Sequence, residues 1–334
     1  MLIRVKAAGI CGSDVPRIFK TGAHRMPLIP GHEFSGVVEG IGKRVHTFWI
    51  GKRVAVFPRI ACGKCAYCRN GKTDLCMEYD YIGSRRDGAF AEYVTVPEDQ
   101  LLELPADVSF EQAAMLEPSA VAANAVRKGC TGGNRILSRD KPVAVCGLGT
   151  IGLMVAMFLL EAGYERIYMI GNKDFQKKKV KELGISDECY CDSRSEKPAE
   201  WLKEVTGGGV HSYFECVGSN DSIGYGIEGS APGGWEILVG NPRSDMSFHK
   251  DVFWKILRKQ MTICGIWNSA FRQTAPAYGE LDPDDWNYVL KEMEDGSIYP
   301  ERLITHRLSL DELDKGFEIM KNKTEDYCKV MMVR

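Results

Sequence analysis

The sequence lacks the features that would tie it to nucleic acid or to a membrane. Lys and Arg number 43 and Asp and Glu 45, so the formal net charge is −2 and there is no basic excess to bind a polyanion. The longest apolar helix candidate, Thr150 to Ala162, is too short to cross a bilayer. The N-terminal segment MLIRVKAAGICGSD is broken by Arg4 and Lys6, which is not typical of a signal peptide. We therefore expect a cytoplasmic protein with neither nucleic-acid nor membrane partners.

Cysteine is abundant, with twelve residues, and in a chain without an export signal this favours metal ligation over disulfides. Four cysteines form one tight cluster, Cys62-x2-Cys65-x2-Cys68-x7-Cys76. Four thiolates within one loop suit a closed tetrahedral zinc site. Iron–sulfur ligation uses related spacing and is the alternative, but no second cluster motif accompanies this one. The spacing predicts a structural zinc site without a catalytic role.

The pattern of strand-like and helix-like segments changes along the chain, and this change predicts two domains. Residues 1–118 contain short alternating runs such as VVEGIGKRV and GAFAEYVTV, which are typical of a β-rich unit with long loops. Within residues 119–267, six strands alternate with helices, and this pattern predicts an α/β fold with a doubly wound parallel sheet. We expect residues 268–334 to return to the first domain. The six strand segments are PVAVCG, RIYMIG, DECYCD, HSYFECVG, WEILVG and MTICGIW.

A glycine-rich turn joins the first of these strands to its helix and has the pattern G-x-G-x-x-G. Gly147 permits the tight turn, Gly149 allows the backbone to approach a pyrophosphate, and Gly152 allows close packing of helix on strand. With Thr150 and Ile151, these residues open a helix whose N-terminal amides attract an anion. The alternative is that the glycines only serve a turn. The position between strand and helix favours dinucleotide binding.

The second strand lacks the acidic residue that commonly ends it and binds the ribose 2′-hydroxyl of NAD. Gly171, Asn172 and Lys173 stand there instead, and an amide with a cation favours a 2′-phosphate, so we predict NADP over NAD. The alternative is that Asp174 makes the NAD-type contact after a small loop shift. Gly240, at the end of WEILVG, completes the predicted cofactor-binding set.

A second set of metal-ligand residues is dispersed along the chain. Cys11 lies in GICGSD, His32 and Glu33 lie in GHEFSG, and Glu117 precedes a proline. Together they would form a catalytic zinc site with one position open. Two alternatives stand for the carboxylate: Glu33 and Glu117 exchange as ligands, or one of them only supports a ligand.

The motifs around His32 resemble the signature of zinc-containing medium-chain dehydrogenases, G-H-E-x2-G-x5-G-x2-V. The matching residues are Gly31, His32, Glu33, Gly36, Gly42 and Val45. The cysteine cluster, the Glu117-Pro118 pair and the glycine-rich turn follow in the family's order. Within the family, CGSDVPRIFKTGAH, GHEFSG and YIGSRRDGAFAEY look most like galactitol-1-phosphate 5-dehydrogenases, with sorbitol and threonine dehydrogenases next.

The resemblance implies a GroES-like β-rich catalytic domain, formed from both chain ends around a central Rossmann domain. It also implies homodimers or homotetramers. The family carries additional N-terminal residues that form opening strands, whereas this chain begins within the strand that leads to Cys11. We therefore expect a changed sheet edge in the catalytic domain.

The expected chemistry is hydride transfer between a secondary hydroxyl and a nicotinamide. Zinc on Cys11, His32 and a carboxylate would lower the pKa of the substrate hydroxyl. Ser13 would accept the proton and Asp14 would orient His32, although turn capping is the alternative for both.

The predicted substrate is a polyol or sugar, or its phosphate. The resemblance places four basic residues near the active cleft: Arg17, His24, Arg85 and Arg86. Arginine pairs bind phosphate through bidentate hydrogen bonds, whereas surface or interdomain salt bridges are the alternative for Arg85 and Arg86. Two further functions remain open, oxidation of an amino alcohol in the manner of threonine dehydrogenases and non-catalytic binding of dinucleotide or zinc.

Overall fold

The computed structural model describes residues 1–43, 45–132, 136–242, 244–272 and 284–334. Its contacts divide the chain into two compact units, Met1–Ala120 with Ser269–Arg334, and Val121–Asn268. All twelve cysteines carry free thiols. Among the described residues, no helix is both long and apolar enough to cross a membrane.

The strands are numbered in chain order. They are β1 Leu2–Gly9, β2 Glu33–Gly40, β3 Arg53–Val56, β4 Arg59–Ile60, β5 Asp80–Tyr81, β6 Tyr93–Thr95, β7 Leu101–Glu103, β8 Val143–Cys146, β9 Ile167–Gly171, β10 Tyr190–Asp192, β11 Val210–Glu215, β12 Ser230–Leu238, β13 Thr262–Gly265, β14 Ile304–Leu308 and β15 Lys329–Val333.

The α-helices are numbered in the same way. They are α1 Asp14–Pro16, α2 Ala66–Arg69, α3 Phe110–Ala114, α4 Leu116–Thr131, α5 Thr150–Glu161, α6 Asp174–Glu182, α7 Pro198–Thr206, α8 Asn220–Gly229, α9 Lys250–Lys259, α10 Asp285–Glu294 and α11 Leu313–Asn322. The chain also contains one π-helical turn, Arg17–Thr21, and several short turns of 3-10 helix. The 3-10 turns are Thr47–Trp49, Thr73–Leu75, Glu98–Gln100, Asp187–Cys189, Pro300–Leu303 and Leu310–Glu312.

The first unit is built on a seven-stranded sheet of order β14-β15-β1-β2-β3-β7, with β6 also paired to β1. Strand β1 pairs antiparallel with both β2 and β15, so the two ends of the chain share one sheet. Its inward side chains, among them Ile3 and Val5, are fully buried with Phe34 of β2 and Val330 of β15. This central position of β1 fixes where the residues that follow it, beginning with Cys11, are placed.

The second unit contains a six-stranded sheet of order β10-β9-β8-β11-β12-β13, in which every pairing is parallel. In sequence order this is 3-2-1-4-5-6, the arrangement of a dinucleotide-binding sheet with its switch point between the first and fourth strands. The doubly wound sheet predicted from the sequence is therefore confirmed.

One strand in the second unit is shorter than its sequence indicates. The segment DECYCD reads as a strand, but Asp187–Cys189 forms a 3-10 turn and β10 begins only at Tyr190. The reason is local, because the Ser186 hydroxyl accepts a hydrogen bond from the Glu188 backbone N–H and caps the turn.

Candidate metal and cofactor sites

Cys11 lies in a tight turn just after β1. The buried carboxylate of Asp14 accepts a hydrogen bond from the Cys11 backbone N–H at 3.1 Å and is bound on its other oxygen by the Arg17 guanidinium. The Ser13 hydroxyl donates to Cys11 Sγ at 3.2 Å. These contacts fix the direction of the thiol relative to the end of β1.

His32 and Glu33 reach the same place because β1 and β2 run antiparallel, with Gly9 opposite Glu33. A side chain at position 9 would collide with the Glu33 carboxylate, so glycine is required for this approach. The ligand atoms of Cys11, His32 and Glu33 all lie within 4.8 Å of one another. The structure thus brings together three of the four residues in the dispersed set around one point.

Acidic and basic side chains meet in this cluster. His32 Nδ1 lies 3.6 Å from Asp14 Oδ1, too far for a good hydrogen bond. Burial disfavours the imidazolium, but Asp14, Cys11 and Glu117 together raise the pKa of His32 to about 10. One thiol, one imidazole and several carboxylates in a buried space therefore fit a divalent cation, which would offset their charge.

Glu117 is held by a residue that the sequence analysis did not single out. It lies in the first turn of α4, and its Oε1 accepts a hydrogen bond from the Tyr81 hydroxyl at 3.0 Å. Burial raises the pKa of Glu117 to about 7. The Tyr81 ring also meets the His32 ring edge-on, with 5.7 Å between centroids. Tyr81 sits in an ordinary strand pattern, so no sequence signal distinguishes it from a core aromatic.

Glu33 has a partner that was also missed. Lys329, the first residue of β15, is 3% exposed, and its ammonium donates to Glu33 Oε2 and to the Ile10 carbonyl at 3.3 Å. Burial disfavours its charge, but Glu33 and Cys11 raise the pKa of Lys329 above the usual value. The available signal was a single lysine beginning the apolar run KVMMV, 296 residues away from its partner.

The cysteine cluster forms a separate site, which we call the cysteine lobe (Cys62, Cys65, Cys68 and Cys76). Its Sγ atoms also converge within 4.8 Å, with 3.5 Å between Cys65 and Cys68 and 3.9 Å between Cys62 and Cys68. Zinc–sulfur bonds of about 2.3 Å in a tetrahedron would separate sulfurs by about 3.8 Å. The observed spacing therefore fits one zinc ion.

Backbone amides support this lobe. The backbone N–H groups of Lys64 and Cys65 lower the pKa of Cys62 to about 7, which favours its thiolate. Cys65 Sγ also accepts a hydrogen bond from the Cys68 backbone N–H at the start of α2. Donors of this kind favour the thiolate form of the sulfur that they reach.

The four predicted substrate residues lie in different settings. Arg17 binds Asp14 beside the Cys11 turn, whereas His24 is exposed. Arg85 donates to the Tyr79 carbonyl at 2.8 Å and stacks on the Tyr79 ring. Arg86 pairs with Asp80 at 2.9 Å. Both members of the arginine pair thus have partners within the chain, and Arg17 is the one attached to the converging set.

The glycine-rich turn has the geometry expected for an anion. Gly147 follows β8 with φ at +93°, and a side chain at Gly152 would collide with the Gly147 carbonyl. Gly149 caps α5 without a side-chain hydrogen bond. The first turn of α5, which contains Thr150 and Ile151, directly follows this glycine turn, as expected for an anion site at a helix N-terminus.

The ends of β9 and β12 supply the remaining predicted cofactor residues. A side chain at Gly171 would meet the Tyr190 hydroxyl and the Gln176 carboxamide. The Asn172 backbone N–H donates to Gln176 Oε1 at 2.9 Å, and Lys173 caps α6. Gly240 donates its backbone N–H to the Glu215 carbonyl at 2.9 Å.

Comparison with known proteins identifies the family. The model described as alcohol dehydrogenase GroES-like domain matches residues 1–106, and the model described as zinc-binding dehydrogenase matches residues 150–282. Galactitol 1-phosphate 5-dehydrogenase of Escherichia coli (strain K12) is 31% identical over 313 residues, covering 92% of this chain and 85% of the relative. L-threonine 3-dehydrogenase of Bacillus subtilis (strain 168) is 31% identical over 328 residues, covering 96% and 88%.

Several solved dehydrogenase structures superpose on this chain over nearly its whole length. Galactitol-1-phosphate dehydrogenase from Escherichia coli superposes with a TM-score of 0.86 at 29% identity, covering 100% of this chain and 92% of the other. A zinc-binding dehydrogenase structure from Sinorhizobium meliloti 1021 bound to NADP has a TM-score of 0.85 at 25% identity, covering 100% and 92%. A short chain alcohol dehydrogenase from Escherichia coli CFT073 in complex with NADH has a TM-score of 0.84 at 26% identity, covering 100% and 91%.

These matches confirm the resemblance based on the motifs. The chain belongs to the zinc-dependent medium-chain alcohol and polyol dehydrogenases, with a GroES-like domain and a Rossmann-type domain. It is an oxidoreductase of that class.

Proposed function

We propose that the chain oxidises a secondary hydroxyl of a polyol or sugar, and passes the hydride to the nicotinamide of NADP. The observation that carries this proposal is the convergence of the Cys11, His32 and Glu33 ligand atoms within 4.8 Å of one another, with the His32 and Glu33 side chains buried. A zinc ion held there would act as a Lewis acid on the substrate hydroxyl and lower its pKa. The thiol, the imidazole and one carboxylate would be its ligands, which leaves a fourth position for substrate.

The two glutamates would have different parts in this site. Lys329 occupies one oxygen of Glu33, and the other remains to bind the ion. Glu117 is held by Tyr81 at one oxygen and is the carboxylate that could exchange with Glu33. Ser13, hydrogen-bonded to the Cys11 thiol, is placed to accept the substrate proton, and Asp14 would orient His32 from its Nδ1 side.

The cysteine lobe would hold a second zinc ion with a purely structural role. Its four soft ligands fill a tetrahedron and leave no position for substrate. Two zinc ions per chain are therefore expected.

Two observations bear on whether the substrate carries a phosphate. The relative from Escherichia coli is named for a polyol phosphate, but Arg85 and Arg86 are engaged with Tyr79 and Asp80. Of the four predicted substrate residues, Arg17 is the one whose partner, Asp14, contacts Cys11. L-threonine, the substrate named in the Bacillus subtilis relative, is the second candidate because that relative is equally identical.

The cofactor preference rests on the end of β9. Gly171 leaves no carboxylate to bind a ribose 2′-hydroxyl, and Lys173 follows it. Similar structures hold NADP in one case and NADH in another. The preference therefore has to come from this chain's own residues.

A second copy of the chain is the expected partner. Helix α9 exposes Phe253, Trp254 and Leu257, each at least half exposed, and β13 is the last strand in the order of the described sheet. An edge strand can pair antiparallel with its own copy about a twofold axis. We therefore propose a homodimer or a homotetramer, which light scattering of the purified chain would test; a monomer at micromolar concentration would contradict it.

The central test is a panel of polyols, their phosphate esters, ketoses and L-threonine, assayed with NADP and NAD in both redox states. We expect turnover with a polyol or its phosphate, a higher kcat/KM with NADP, and loss of turnover in Cys11→Ser with dinucleotide affinity retained. Turnover that survives in Cys11→Ser would refute the assigned site. Metal analysis that gives one zinc per chain would refute the two-site assignment.

A further inference from the structure

Two carboxylates lie at the carboxyl ends of the strands that precede the predicted adenosine site. Asp192 ends β10 and is paired in register with Gly171 at the end of β9, while Asp174 begins α6. Either group, if free, could accept a hydrogen bond from a ribose 2′-hydroxyl and would repel a 2′-phosphate. The absence of an acid at position 171 therefore does not by itself make this edge suitable for NADP.

A single arginine binds both carboxylates. Arg194 Nη2 lies 2.5 Å from Asp174 Oδ1 and 2.5 Å from Asp192 Oδ2, and Arg194 Nε donates to Asp192 Oδ1 at 2.9 Å. The Arg194 backbone N–H also donates to Asp192 Oδ1, at 3.0 Å. Hydrogen bonding to Arg194 lowers the pKa of Asp192, which favours the charged carboxylate.

The other charges around this edge are mostly positive. Lys173 caps α6, and the Lys177 ammonium lies 5.7 Å from the centre of the Tyr190 ring. The Tyr190 hydroxyl donates to the Lys173 carbonyl at 3.2 Å, which ties β10 to the Gly171–Lys173 segment. Glu196 is a further carboxylate here, and its Oε1 accepts a hydrogen bond from the Asp192 backbone N–H at 3.0 Å.

We propose that Arg194 is a specificity-determining residue, which binds Asp174 and Asp192 together, withholds both from the ribose and so lets the end of β9 accept an adenosine 2′-phosphate. The inference rests on the proposed function, because it assumes that a dinucleotide binds at the Gly147 turn. It assigns a role to a residue outside the glycine-rich motif and outside the Gly171–Lys173 segment. Arg194 acts here chiefly by binding both carboxylates and offsetting one of their two negative charges.

The test is equilibrium binding by calorimetry at low salt, with the full chain and four probes: NADP, NAD, adenosine 2′,5′-bisphosphate and 5′-AMP. In Arg194→Met, the preference for NADP over NAD is expected to fall by about tenfold, which corresponds to about 1.4 kcal/mol. The bisphosphate should weaken by a similar factor, while 5′-AMP should change little. Low salt is needed because the ion pairs are exposed and are screened.

Two further variants separate charge removal from a structural effect. Arg194→Met combined with Asp174→Asn and Asp192→Asn should regain most of the lost NADP preference, since no free carboxylate remains. Lys197→Met breaks the exposed Lys197–Glu200 pair, 3.0 Å long, at the start of α7. This variant touches neither aspartate and should keep the original ratio.

The outcomes distinguish the inference from the proposed cofactor. A wild-type chain that prefers NAD contradicts the cofactor proposal alone, because Arg194→Met should still move the ratio further towards NAD. An unchanged ratio in Arg194→Met, or an equal loss of affinity for all four probes, overturns the role of Arg194. Failure of the triple variant to regain NADP preference overturns it as well.

Discussion

The cysteine lobe and the dispersed cluster of Cys11, His32 and Glu33 are two convergent sets of metal-ligand atoms that arise in opposite ways. The lobe takes four identical thiols from the single stretch Cys62–Cys76, and three of them are only half-buried. The dispersed cluster combines three different ligand types from the ends of two antiparallel strands, and its histidine and glutamate are buried.

The environments differ as much as the ligands. In the lobe, backbone amides lower the pKa of Cys62, and the zinc site that we propose there would leave no position for substrate. In the dispersed cluster, charged or hydroxyl side chains hold each acid: Arg17 binds Asp14, Lys329 binds Glu33 and Tyr81 binds Glu117. A site that is open to substrate needs such supports, because its ligands are not fixed by a complete coordination shell.

The largest expected effect is the separation of activity from stability when one ligand is removed from each site. His32→Ala should lower kcat/KM by about three orders of magnitude, which corresponds to about 4 kcal/mol of transition-state stabilisation. NADP affinity should change little, and the unfolding midpoint should fall less than in the lobe variant. Cys65→Ser should instead lower the unfolding midpoint and speed the loss of zinc to a chelator. Initial rates, calorimetric binding and thermal unfolding measured on both variants provide the comparison.

Cys264→Ser is a suitable control for these two substitutions, because this half-buried thiol on β13 belongs to neither set. It should retain both zinc ions and full turnover. Equal losses of activity and stability in His32→Ala and Cys65→Ser would contradict the division into a catalytic and a structural site.

The next effect concerns the buried ion pair, which the lobe does not share. Lys329→Met leaves the Glu33 carboxylate buried without its cation, and loss of one partner of a buried pair costs about 3–5 kcal/mol. Urea unfolding should show this loss, and the visible spectrum of the cobalt-substituted chain should change because Glu33 is no longer held at one oxygen.

Two variants serve as controls for Lys329→Met. Lys329→Arg should restore part of the stability and most of the spectrum, because the charge is kept. Lys64→Met, beside the lobe cysteines, removes an exposed cation and should change the free energy of unfolding by less than about 0.5 kcal/mol. A similar change in Lys64→Met and Lys329→Met would contradict the distinction between the two sites.

The sequence alone predicts more of the cysteine lobe than of the dispersed cluster. The convergence of the four lobe thiols could be predicted from the sequence, because these residues and their spacing lie within one loop. For the dispersed cluster, the ligand types were visible, but their meeting depends on the β1–β2 register and on the small size of Gly9. Periodicity likewise indicated the parallel sheet, since six strands alternate with helices along the chain.

What could not be predicted is what the buried charges pair with. Lys329 and Glu33 lie at opposite ends of the chain and meet only because β15 and β2 both flank β1. Tyr81 and Glu117 meet because a short strand and the first turn of a helix converge. Such contacts depend on tertiary packing, and each side chain alone resembles an ordinary surface lysine or core tyrosine.

The smallest effect, and the sharpest, concerns one hydroxyl group. Tyr81→Phe removes the donor to Glu117 Oε1 and keeps the ring that meets His32 edge-on. Loss of this bond leaves a buried acceptor without its donor and should cost about 1–3 kcal/mol of folding stability. Supports of metal ligands typically change metal affinity by about 10–100-fold when they are lost, and we expect the lower end of that range at this site alone.

Zinc affinity is measured by competition with a chromogenic chelator, which reports the two sites as separate steps. Tyr79→Phe is the matched control, because it removes a hydroxyl two residues away, from a ring that packs edge-on against Tyr81. Tyr79→Phe should not change the zinc affinity of either step. Two results would contradict this prediction: a shift in the step of the cysteine lobe, or no shift in either step. In both cases Tyr81 would not position Glu117 for the metal, and the two sites would not differ in their need for supporting side chains.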